Sequence, residues 1–355
     1  MFKKGDVNVL SLSVGESEIF MENGFIKQCG DFFSKFFSKC KVLLISDSNV
    51  FDIYSSDIID CLKKLKFDVK CYVIKSGEES KSLKTVEKIY NVLKMCNMSR
   101  SDIILGVGGG VVTDISGFVA STYNRGMNFV SIPTSLLAMV DAAIGGKNGV
   151  NFYGKNLVGT FYDPRFVLID PFALNTLPKM EFYSGMAEVI KCAAVKSKDL
   201  FEMIDKKIFF NNLTEIIYQT ILIKKHIVES DKFDKSLRML LNFGHTFGHA
   251  IELSDSTKKI SHGFAVSIGM NLITKIFEKL GKTDKGVSTK LSEICKKYNL
   301  PIKSDVSIEK IISLAMSDKK VVNNTFNLIG IKNIGECFVY KLPKDHIEKF
   351  MKGDI

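Results

Sequence analysis

Three of the five histidines in the chain lie close together in sequence, at positions His245, His249 and His262. Histidine is a common metal ligand and changes its charge near neutral pH, so this cluster indicates a metal site or acid–base chemistry. Apolar residues recur with a helical period around the first two. We therefore expect His245 and His249 one turn apart on one helix face, where both can serve one cavity.

A catalytic zinc site usually takes three protein ligands and leaves a fourth position open. His262 and Glu188 are candidates to complete such a set, because Glu188 lies in the small, apolar helical segment SGMAEVIKCAA, where a buried acid needs a partner. Two alternatives stay open at this stage. The histidines can be hydrogen-bonded core residues, and Glu188 can form an ordinary surface ion pair with Lys191, one turn further on.

A run of glycines at residues 108–110 interrupts the segment SDIILGVGGGVVTDISGFVAS. The pattern predicts a buried strand at 102–107, a tight turn, and a helix at 111–120, whose N-terminal N–H groups favour phosphate. Gly106 and Gly108 match the first two glycines of the dinucleotide fingerprint, but Val111 stands at the third position. The run thus indicates either nucleotide binding or a close-packed turn. Two Gly-Lys pairs in PTSLLAMVDAAIGGKNGVNFYGKN favour a phosphorylated ligand, although most lysines of the chain are simply solvated.

Four motifs, GGGVVTD, PTSLLAMVDAAIGGK, GMAEVIK and LNFGHTFGHAIE, occur in an order that closely resembles the 3-dehydroquinate synthase family, over about residues 40–330. The resemblance implies a carbon–oxygen lyase of the shikimate pathway, which leads to aromatic amino acids. Its substrate is 3-deoxy-D-arabino-heptulosonate 7-phosphate, and its products are 3-dehydroquinate and phosphate. The implied cofactors are NAD and one divalent metal, zinc or cobalt. In the implied reaction, NAD oxidises the substrate transiently, and phosphate elimination, re-reduction and aldol closure follow.

The resemblance also implies roles for individual residues. The metal ligands are Glu188, His245 and His262; the catalytic residues are His249, which transfers a proton, Asp234, Lys147 and Arg238. The NAD-binding residues are Asp47, Asn49, Glu78, Lys81, Gly109, Gly110, Asp114, Thr134, Ser135, Lys155 and Thr176. The substrate-binding residues are Arg125, Asp141, Lys147, Asn156, Lys191, Lys224, Arg238, Asn242 and Lys320.

Two of these assignments have ordinary structural alternatives. Asp47, at a strand end, can hold a ribose hydroxyl of NAD or can act as a turn residue. Arg238 can bind the substrate carboxylate through its planar guanidinium fork, or can form an exposed ion pair with Asp234. If residues 237–254 form one helix, Arg238, Asn242 and the two histidines after them lie along one stripe of it.

Several positions depart from the family pattern. Asp234 stands where glutamate is usual, Ser184 occupies a substrate-side position that is often different, and the segment 147–155 is shortened. Phe264 replaces the acidic residue that commonly follows the His-Gly pair. We therefore expect the partner of His262 to be missing or to come from elsewhere.

Two functions other than dehydroquinate synthesis are compatible with parts of the sequence. A sister cyclase, such as an inosose or valiolone synthase, would keep the metal and NAD motifs but would have no need for the carboxylate-binding cations Lys224, Arg238 and Lys320. A non-catalytic descendant of the fold would have lost the metal set or the Gly-Lys loops. The sequence retains all of these features, which favours dehydroquinate synthesis.

Composition limits the class of protein and its partners. A chain of 355 residues with 46% hydrophobic content can bury a large core. Its net charge of +10 comes from scattered lysines without interleaved aromatic residues, which argues against nucleic acid as a partner. A lysine-rich composition and an anionic small substrate, such as the sugar phosphate that the resemblance implies, are enough to account for this charge. Eight cysteines without a Cys-x-x-Cys pair predict reduced thiols and a cytoplasmic location. We expect no membrane partner, because no apolar run reaches membrane-spanning length. The resemblance implies a homodimer.

Two domains are predicted, an NAD-binding α/β domain at 1–177 and a helical metal- and substrate-binding domain at 178–355, divided before Pro178. The resulting fold class is an α/β domain with a parallel sheet and a nucleotide-binding glycine turn, plus a mainly α-helical domain. We expect the catalytic cleft between them.

Strands of the first domain are predicted at 41–46, 69–74, 103–107 and 128–132, and its helices at 55–66, 82–97 and 111–122. Helices of the second are predicted at 184–197, 213–230, 237–254, 263–280 and 286–298.

Overall fold

The computed structural model describes residues 9–206, 212–233, 237–255, 260–316 and 324–354. The chain folds into two compact units, Met1–Leu177 and Pro178–Ile355. Over these described ranges, no helix is long and apolar enough to cross a membrane.

The first unit is built on one large sheet. Its strands are β1 Leu10–Val14, β2 Ser17–Met21, β3 Lys41–Asp47, β4 Asp68–Ile74, β5 Ile103–Gly108, β6 Asn128–Pro133 and β9 Phe166–Ile169. Within the described residues, their order across the sheet is β1-β2-β9-β6-β5-β3-β4, and only the β1–β2 pair is antiparallel. The central strands are runs of buried Val, Ile, Leu and Phe, as expected for a parallel sheet covered on both faces. A separate antiparallel hairpin consists of β7 Lys147–Val150 and β8 Val158–Phe161.

Helices of the first unit connect the parallel strands. They are α1 Cys29–Phe36, α2 Phe51–Lys64, α3 Leu83–Met95 and α4 Gly110–Thr122. Short 3-10 turns occur at Phe25–Gln28, Glu78–Ser80, Tyr123–Arg125 and Pro171–Asn175, and one π-helical turn at Ala138–Ala142. The chain passes from β3 outward to β4, then returns to β5 on the other side of β3. Strand order therefore reverses between β3 and β5, and ligands of such sheets bind at the carboxyl ends of the strands beside this reversal.

The second unit is mainly helical, as predicted. Its helices are α5 Lys179–Lys196, α6 Lys198–Asp205, α7 Leu213–Ser230, α8 His245–Ser254, α9 His262–Lys279, α10 Val287–Lys297, α11 Ile308–Met316 and α12 Ile347–Lys352. A hairpin of β10 Thr325–Asn333 and β11 Glu336–Pro343 follows α11, and 3-10 turns occur at Leu237–Asn242 and Lys344–His346. Helix α5 is buried on all sides from Ser184 to Val195 and packs against α6, α7 and α9. Its apolar surroundings on every face explain its weak amphipathic pattern.

The predicted single helix at 237–254 is wrong. A 3-10 turn ends at Asn242, Gly244 adopts a left-handed φ of +77°, and α8 begins at His245. Glycine takes this conformation without the cost that a side chain imposes. The stripe predicted for Arg238, Asn242, His245 and His249 along one helix is therefore also wrong.

Helices α8 and α9 approach each other backbone to backbone. A Cβ atom at position 269 would lie 2.0 Å from the carbonyl oxygen of Gly244, so only glycine fits there. Further along the crossing, a Cβ atom at position 248 would lie 3.0 Å from the carbonyl oxygen of Ala265. The two helices run in opposite directions, and the last turn of α8 thereby comes beside the first turn of α9.

Candidate functional site

The carboxylate of Glu188 lies in the interior of the helical unit. Its residue is 1% exposed, and its Oε2 atom contacts the ammonium of Lys191, which is 2% exposed. The alternative of an ordinary surface ion pair is therefore wrong. Removing two charges from water costs several kcal/mol per ion, so a buried pair of this kind needs good geometry and further polar contacts.

The other carboxylate oxygen faces two imidazoles. Glu188 Oε1 is 3.7 Å from His245 Nε2 and 3.6 Å from His262 Nε2. The ligand atoms of these three residues all lie within 4.8 Å of one another. Ligands placed about 2.1 Å from a tetrahedral zinc ion are about 3.4 Å apart. The spacing thus fits one divalent ion bound by a carboxylate and two imidazoles.

The remaining ring nitrogens also have acceptors. His245 Nδ1 is 3.2 Å from the carbonyl oxygen of Phe243, and His262 Nδ1 is 3.4 Å from Glu252 Oε2. When each Nδ1 donates its hydrogen, each Nε2 keeps a lone pair directed at the Glu188 side. This arrangement is typical of metal-binding histidines and favours the metal interpretation over plain core histidines.

His249 lies beside this set on the same face of α8 as His245, as predicted. Its ring centre is 5.3 Å from that of His245 and 5.8 Å from that of His262. A second group with ligand atoms within 4.8 Å consists of His249, Glu252 and His262. We favour the first set for a metal, because two imidazole Nε2 atoms face one oxygen of a carboxylate that is buried, whereas Glu252 is partly exposed.

Three cations are buried in the described part of the helical unit. Lys191, Lys224 and Arg238 are 2%, 5% and 3% exposed, and they project from elements that pack on one another, α5, α7 and the 3-10 turn Leu237–Asn242. Arg238 Nη1 donates to the carbonyl oxygen of Lys232 at 2.9 Å. The alternative of an exposed Arg238 on a helix surface is therefore wrong. Its predicted partner Asp234 lies outside the described residues, as does Lys320.

Predicted NAD-binding residues follow the carboxyl ends of adjacent parallel strands in the first unit. Asp47 ends β3, Gly109 follows β5 and Thr134 follows β6, with Gly108 and Pro133 paired in register. Asp47 Oδ1 also accepts hydrogen bonds from its own turn, from Asn49 N at 2.8 Å and Val50 N at 3.2 Å. The turn interpretation of Asp47 is thus confirmed, and its ribose contact stays a prediction.

A polar cluster lies next to the glycine turn. Lys81 and Asp114 form an ion pair, and burial raises the pKa of Asp114 while the Lys81 ammonium opposes that shift. Asn151 Nδ2 donates to Glu78 Oε1 at 2.8 Å, and Asn151 Oδ1 accepts from Asn156 N at 2.9 Å. Asn151 was not predicted as a site residue, since its only sequence signal is a position between the two Gly-Lys pairs.

Gly106 in β5 and the three glycines at 108–110 have different neighbours. A Cβ atom at position 106 would lie 2.8 Å from Ser116, and one at position 108 would lie 2.6 Å from Val112 Cγ2. At positions 109 and 110 the nearest atoms would be 3.4 Å away, an ordinary contact. Close packing therefore explains why positions 106 and 108 are glycine, but it does not explain glycine at positions 109 and 110. Close approach of a bound nucleotide remains the interpretation of these two.

The remaining predicted residues of the first unit lie in several different elements. Ser135 Oγ accepts from Ala138 N at 3.3 Å, and Thr176 Oγ1 is 2.5 Å from the hydroxyl of Tyr54, a residue that was not predicted. Asp141 belongs to the π-helical turn, Lys147 begins β7, and Lys155 lies in the loop that follows it. Arg125 is exposed at the far end of α4 from the glycine turn, so the structure does not bring it to this edge of the sheet.

Comparison with known proteins identifies the family. A model described as 3-dehydroquinate synthase N-terminal matches residues 71–184, and one described as 3-dehydroquinate synthase C-terminal matches residues 185–321. The chain belongs to the 3-dehydroquinate synthase family. A 3-dehydroquinate synthase of Clostridium beijerinckii is 44% identical over 349 residues, which are 96% of this chain and 99% of the relative. One of Lactococcus lactis subsp. cremoris is 39% identical, covering 94% and 96%.

Solved structures confirm the predicted fold class. A 2-epi-5-epi-valiolone synthase of Streptomyces hygroscopicus subsp. jinggangensis, with NAD⁺ and Zn²⁺ bound, aligns with a TM-score of 0.86 at 24% identity, covering 97% of this chain and 98% of that one. A 2-deoxy-scyllo-inosose synthase complexed with carbaglucose-6-phosphate, NAD⁺ and Co²⁺ gives the same TM-score and identity, covering 98% and 100%. At this identity the likeness establishes the fold alone.

The contrast among the glycines can be tested with two matched alanine variants. Gly108→Ala should lower the free energy of unfolding by about 1–3 kcal/mol, because its methyl group overlaps Val112. Gly109→Ala should change stability by less than about 0.5 kcal/mol but weaken NAD binding at least tenfold, about 1.4 kcal/mol, because the added methyl obstructs the approach of pyrophosphate to the turn. Urea unfolding and calorimetric NAD titration measure the two quantities. Unchanged NAD affinity in a folded Gly109→Ala protein would contradict the nucleotide interpretation.

Proposed function

We propose that this protein is a lyase that depends on NAD and one divalent metal, zinc or cobalt, and converts 3-deoxy-D-arabino-heptulosonate 7-phosphate to 3-dehydroquinate and phosphate. The observation that carries the proposal is the convergence of Glu188 Oε1 with His245 Nε2 and His262 Nε2. In a member of this family, that convergence is a site where a substrate hydroxyl can be polarised.

The reaction has no net redox change. A bound NAD would supply reversible hydride transfer at the substrate alcohol, and a bound divalent ion would supply polarisation of the oxygen at that carbon. Oxidation of the alcohol to a ketone acidifies the neighbouring C–H, which allows phosphate to leave. The later aldol closure forms the ring from the same carbon skeleton, so phosphate is the only group lost.

Residues of the helical unit supply the binding and proton chemistry. Glu188, His245 and His262 would hold the metal, and Lys191 contacts Glu188 Oε2, the carboxylate oxygen that does not face the two imidazoles. His249, whose ring centre is 5.3 Å from that of His245, is placed to hold or move a proton near the reacting carbon. Arg238 binds the substrate carboxylate, since a guanidinium matches a planar oxyanion through two hydrogen bonds.

Residues of the α/β unit bind the nucleotide. The N–H groups of Gly109 and Gly110 at the start of α4 receive the pyrophosphate. Asp47, at the end of β3, accepts from a ribose hydroxyl. The Lys81–Asp114 pair holds the N-terminal part of α4 against the segment that leads into α3. The Glu78–Asn151 hydrogen bond ties the β7–β8 hairpin to that same segment.

A sister cyclase is the second candidate, because the two solved structures described above are a 2-epi-5-epi-valiolone synthase and a 2-deoxy-scyllo-inosose synthase. The inosose synthase binds carbaglucose-6-phosphate. In this chain, the described cations Lys224 and Arg238, both buried, favour a substrate that carries a carboxylate as well as a phosphate. The homodimeric state and the cytoplasmic location inferred from the sequence stay predictions. The eight cysteines, all within the described ranges, are free thiols in the structure.

The redox cycle gives the direct test of the proposed reaction. With the heptulosonate phosphate, zinc and a catalytic amount of NAD, we expect phosphate release over many turnovers without accumulation of NADH, because the hydride returns to the substrate. Phosphate is measured colorimetrically and NADH by its absorbance in the same sample. NADH formed in proportion to product would identify a dehydrogenase, an activity found on the same fold.

The carboxylate role of Arg238 separates dehydroquinate synthesis from the sister reactions. Arg238→Ala should lower kcat/KM by roughly 30-fold to several thousand-fold, equivalent to about 2–5 kcal/mol, because a desolvated carboxylate loses its partner. Arg238→Lys should recover part of the activity, since lysine keeps the charge but lacks the fork. Arg165→Ala, at an exposed arginine of the other unit, serves as control. Metal content and thermal stability are measured for each variant.

If Arg238→Ala is folded and metal-loaded and its kcat/KM falls by less than about threefold, the effect matches the energy of an exposed ion pair. That result would remove the carboxylate role and favour a sister cyclase.

A further inference from the structure

We propose that Glu252 is a positioning residue for the metal site, which orients the His262 ring so that Nε2 faces Glu188. This inference rests on the proposed metal site. It assigns Glu252 no contact with substrate or metal. The observation behind it is that the two nitrogens of His262 face two different carboxylates, Nε2 towards Glu188 Oε1 at 3.6 Å and Nδ1 towards Glu252 Oε2 at 3.4 Å.

The helix geometry explains how Glu252 reaches a histidine on the next helix. His245, His249 and Glu252 occupy positions i, i+4 and i+7 of α8, so their side chains share one face. The antiparallel crossing of α8 and α9, with Gly244 against Gly269 and Gly248 against Ala265, brings the end of that face to the start of α9. His262 is the first residue of α9, and its ring therefore lies between Glu188 on α5 and Glu252 on α8.

The chemistry of a histidine ligand requires such an acceptor. A neutral imidazole carries one N–H, and only the other nitrogen can bind a metal. A carboxylate at Nδ1 selects the tautomer with hydrogen on Nδ1, restrains rotation of the ring and increases the basicity of Nε2. His245 obtains the same orientation from the Phe243 carbonyl oxygen. Position 264, two residues after His262, carries phenylalanine, which cannot accept this hydrogen bond.

Because His262 is partly exposed, its ring orientation depends more on the Glu252 contact than that of a deeply buried ring would. The side chains of His262 and Glu252 are both 21% exposed, whereas that of Glu188 is 1% exposed. Water can compete for the Nδ1 hydrogen when the carboxylate is removed, and the ring is then free to rotate or change tautomer. Loss of Glu252 should consequently weaken metal binding without abolishing it, because all three ligands remain.

The test measures metal affinity rather than catalysis. Co²⁺ and Zn²⁺ dissociation constants are determined by competition with a chelator for the wild type and for Glu252→Ala, Glu252→Gln and His262→Ala. We expect a 10- to 100-fold weaker affinity, the usual effect of removing such a partner, for Glu252→Ala. Glu252→Gln should lie between that variant and the wild type, because the amide oxygen can still accept. Glu293→Ala, at an exposed position of α10, should leave affinity unchanged.

A structural readout distinguishes positioning from ligation. In the Co²⁺-loaded protein, the visible absorption spectrum of Glu252→Gln should keep the wild-type coordination pattern. In a separate measurement on the wild type, ¹⁵N NMR of the histidines should show hydrogen on His262 Nδ1. A loss of affinity in Glu252→Ala as complete as in His262→Ala, with an altered spectrum for Glu252→Gln, would make Glu252 a ligand and overturn the proposal. Wild-type affinity in both Glu252 variants would overturn it as well.

Failure of this inference can be separated from failure of the proposed function. If His262→Ala abolishes metal binding while the Glu252 variants do not change it, the metal site stands and only the positioning role is lost. If His262→Ala itself binds metal normally, the metal site proposed for this protein is incorrect. Should Glu252→Ala fail to fold, Glu252→Gln, which keeps the side-chain shape, still gives the deciding measurement.

Discussion

The buried carboxylate of Glu188 is the constraint around which the helical unit is organised. At 1% exposure, an isolated ionised carboxylate would be strongly disfavoured in the protein interior. The structure provides three neighbours for it, Lys191 at Oε2 and the two imidazoles of His245 and His262 at Oε1. A divalent ion at the same oxygen would complete the compensation. Burial of the ionised Glu188 carboxylate opposes folding, and the same burial makes this carboxylate a suitable ligand for a metal ion.

The helices are held so that this convergence is maintained. Ser184 Oγ, one turn before Glu188 on α5, accepts a hydrogen bond from Gly263 N at 3.1 Å. A Cβ atom at position 263 would lie 1.9 Å from the Ser184 carbonyl oxygen, so the start of α9 rests directly on α5. This contact satisfies a free N–H at the beginning of the helix. Ser184, which departs from the family pattern, thus has a structural task next to His262.

The sequence was sufficient for features that depend on local pattern. Strands β3, β4, β5 and β6, the strand–turn–helix around the glycines and the placement of His245 and His249 one turn apart follow from periodicity within a few residues of chain. Strands β1, β2 and β9 of the same sheet were not predicted. The apolar neighbours of Glu188 also predicted its need for a partner. Four short motifs identified the family, because their order and chemistry are specific.

Other features could not be predicted, because they depend on contacts distant in sequence. The break before α8 at Gly244 is required by the close approach of α9, which starts after the end of α8. Glu252 reaches His262 only through that crossing, and Asn151 reaches Glu78 only because β7 returns beside the chain near Lys81. Burial of Arg238 likewise results from its packing against α5 and α7, since its own segment has no pattern that distinguishes an exposed position from a buried one.

The most direct test of the metal site is a crystal structure of the protein with stoichiometric zinc, using anomalous diffraction to locate the ion. The expected result is one anomalous peak about 2.0–2.2 Å from Glu188 Oε1 and from Nε2 of His245 and His262, with Lys191 still at Glu188 Oε2. A peak among His249, Glu252 and His262, with Glu188 contacting only Lys191, would contradict the account.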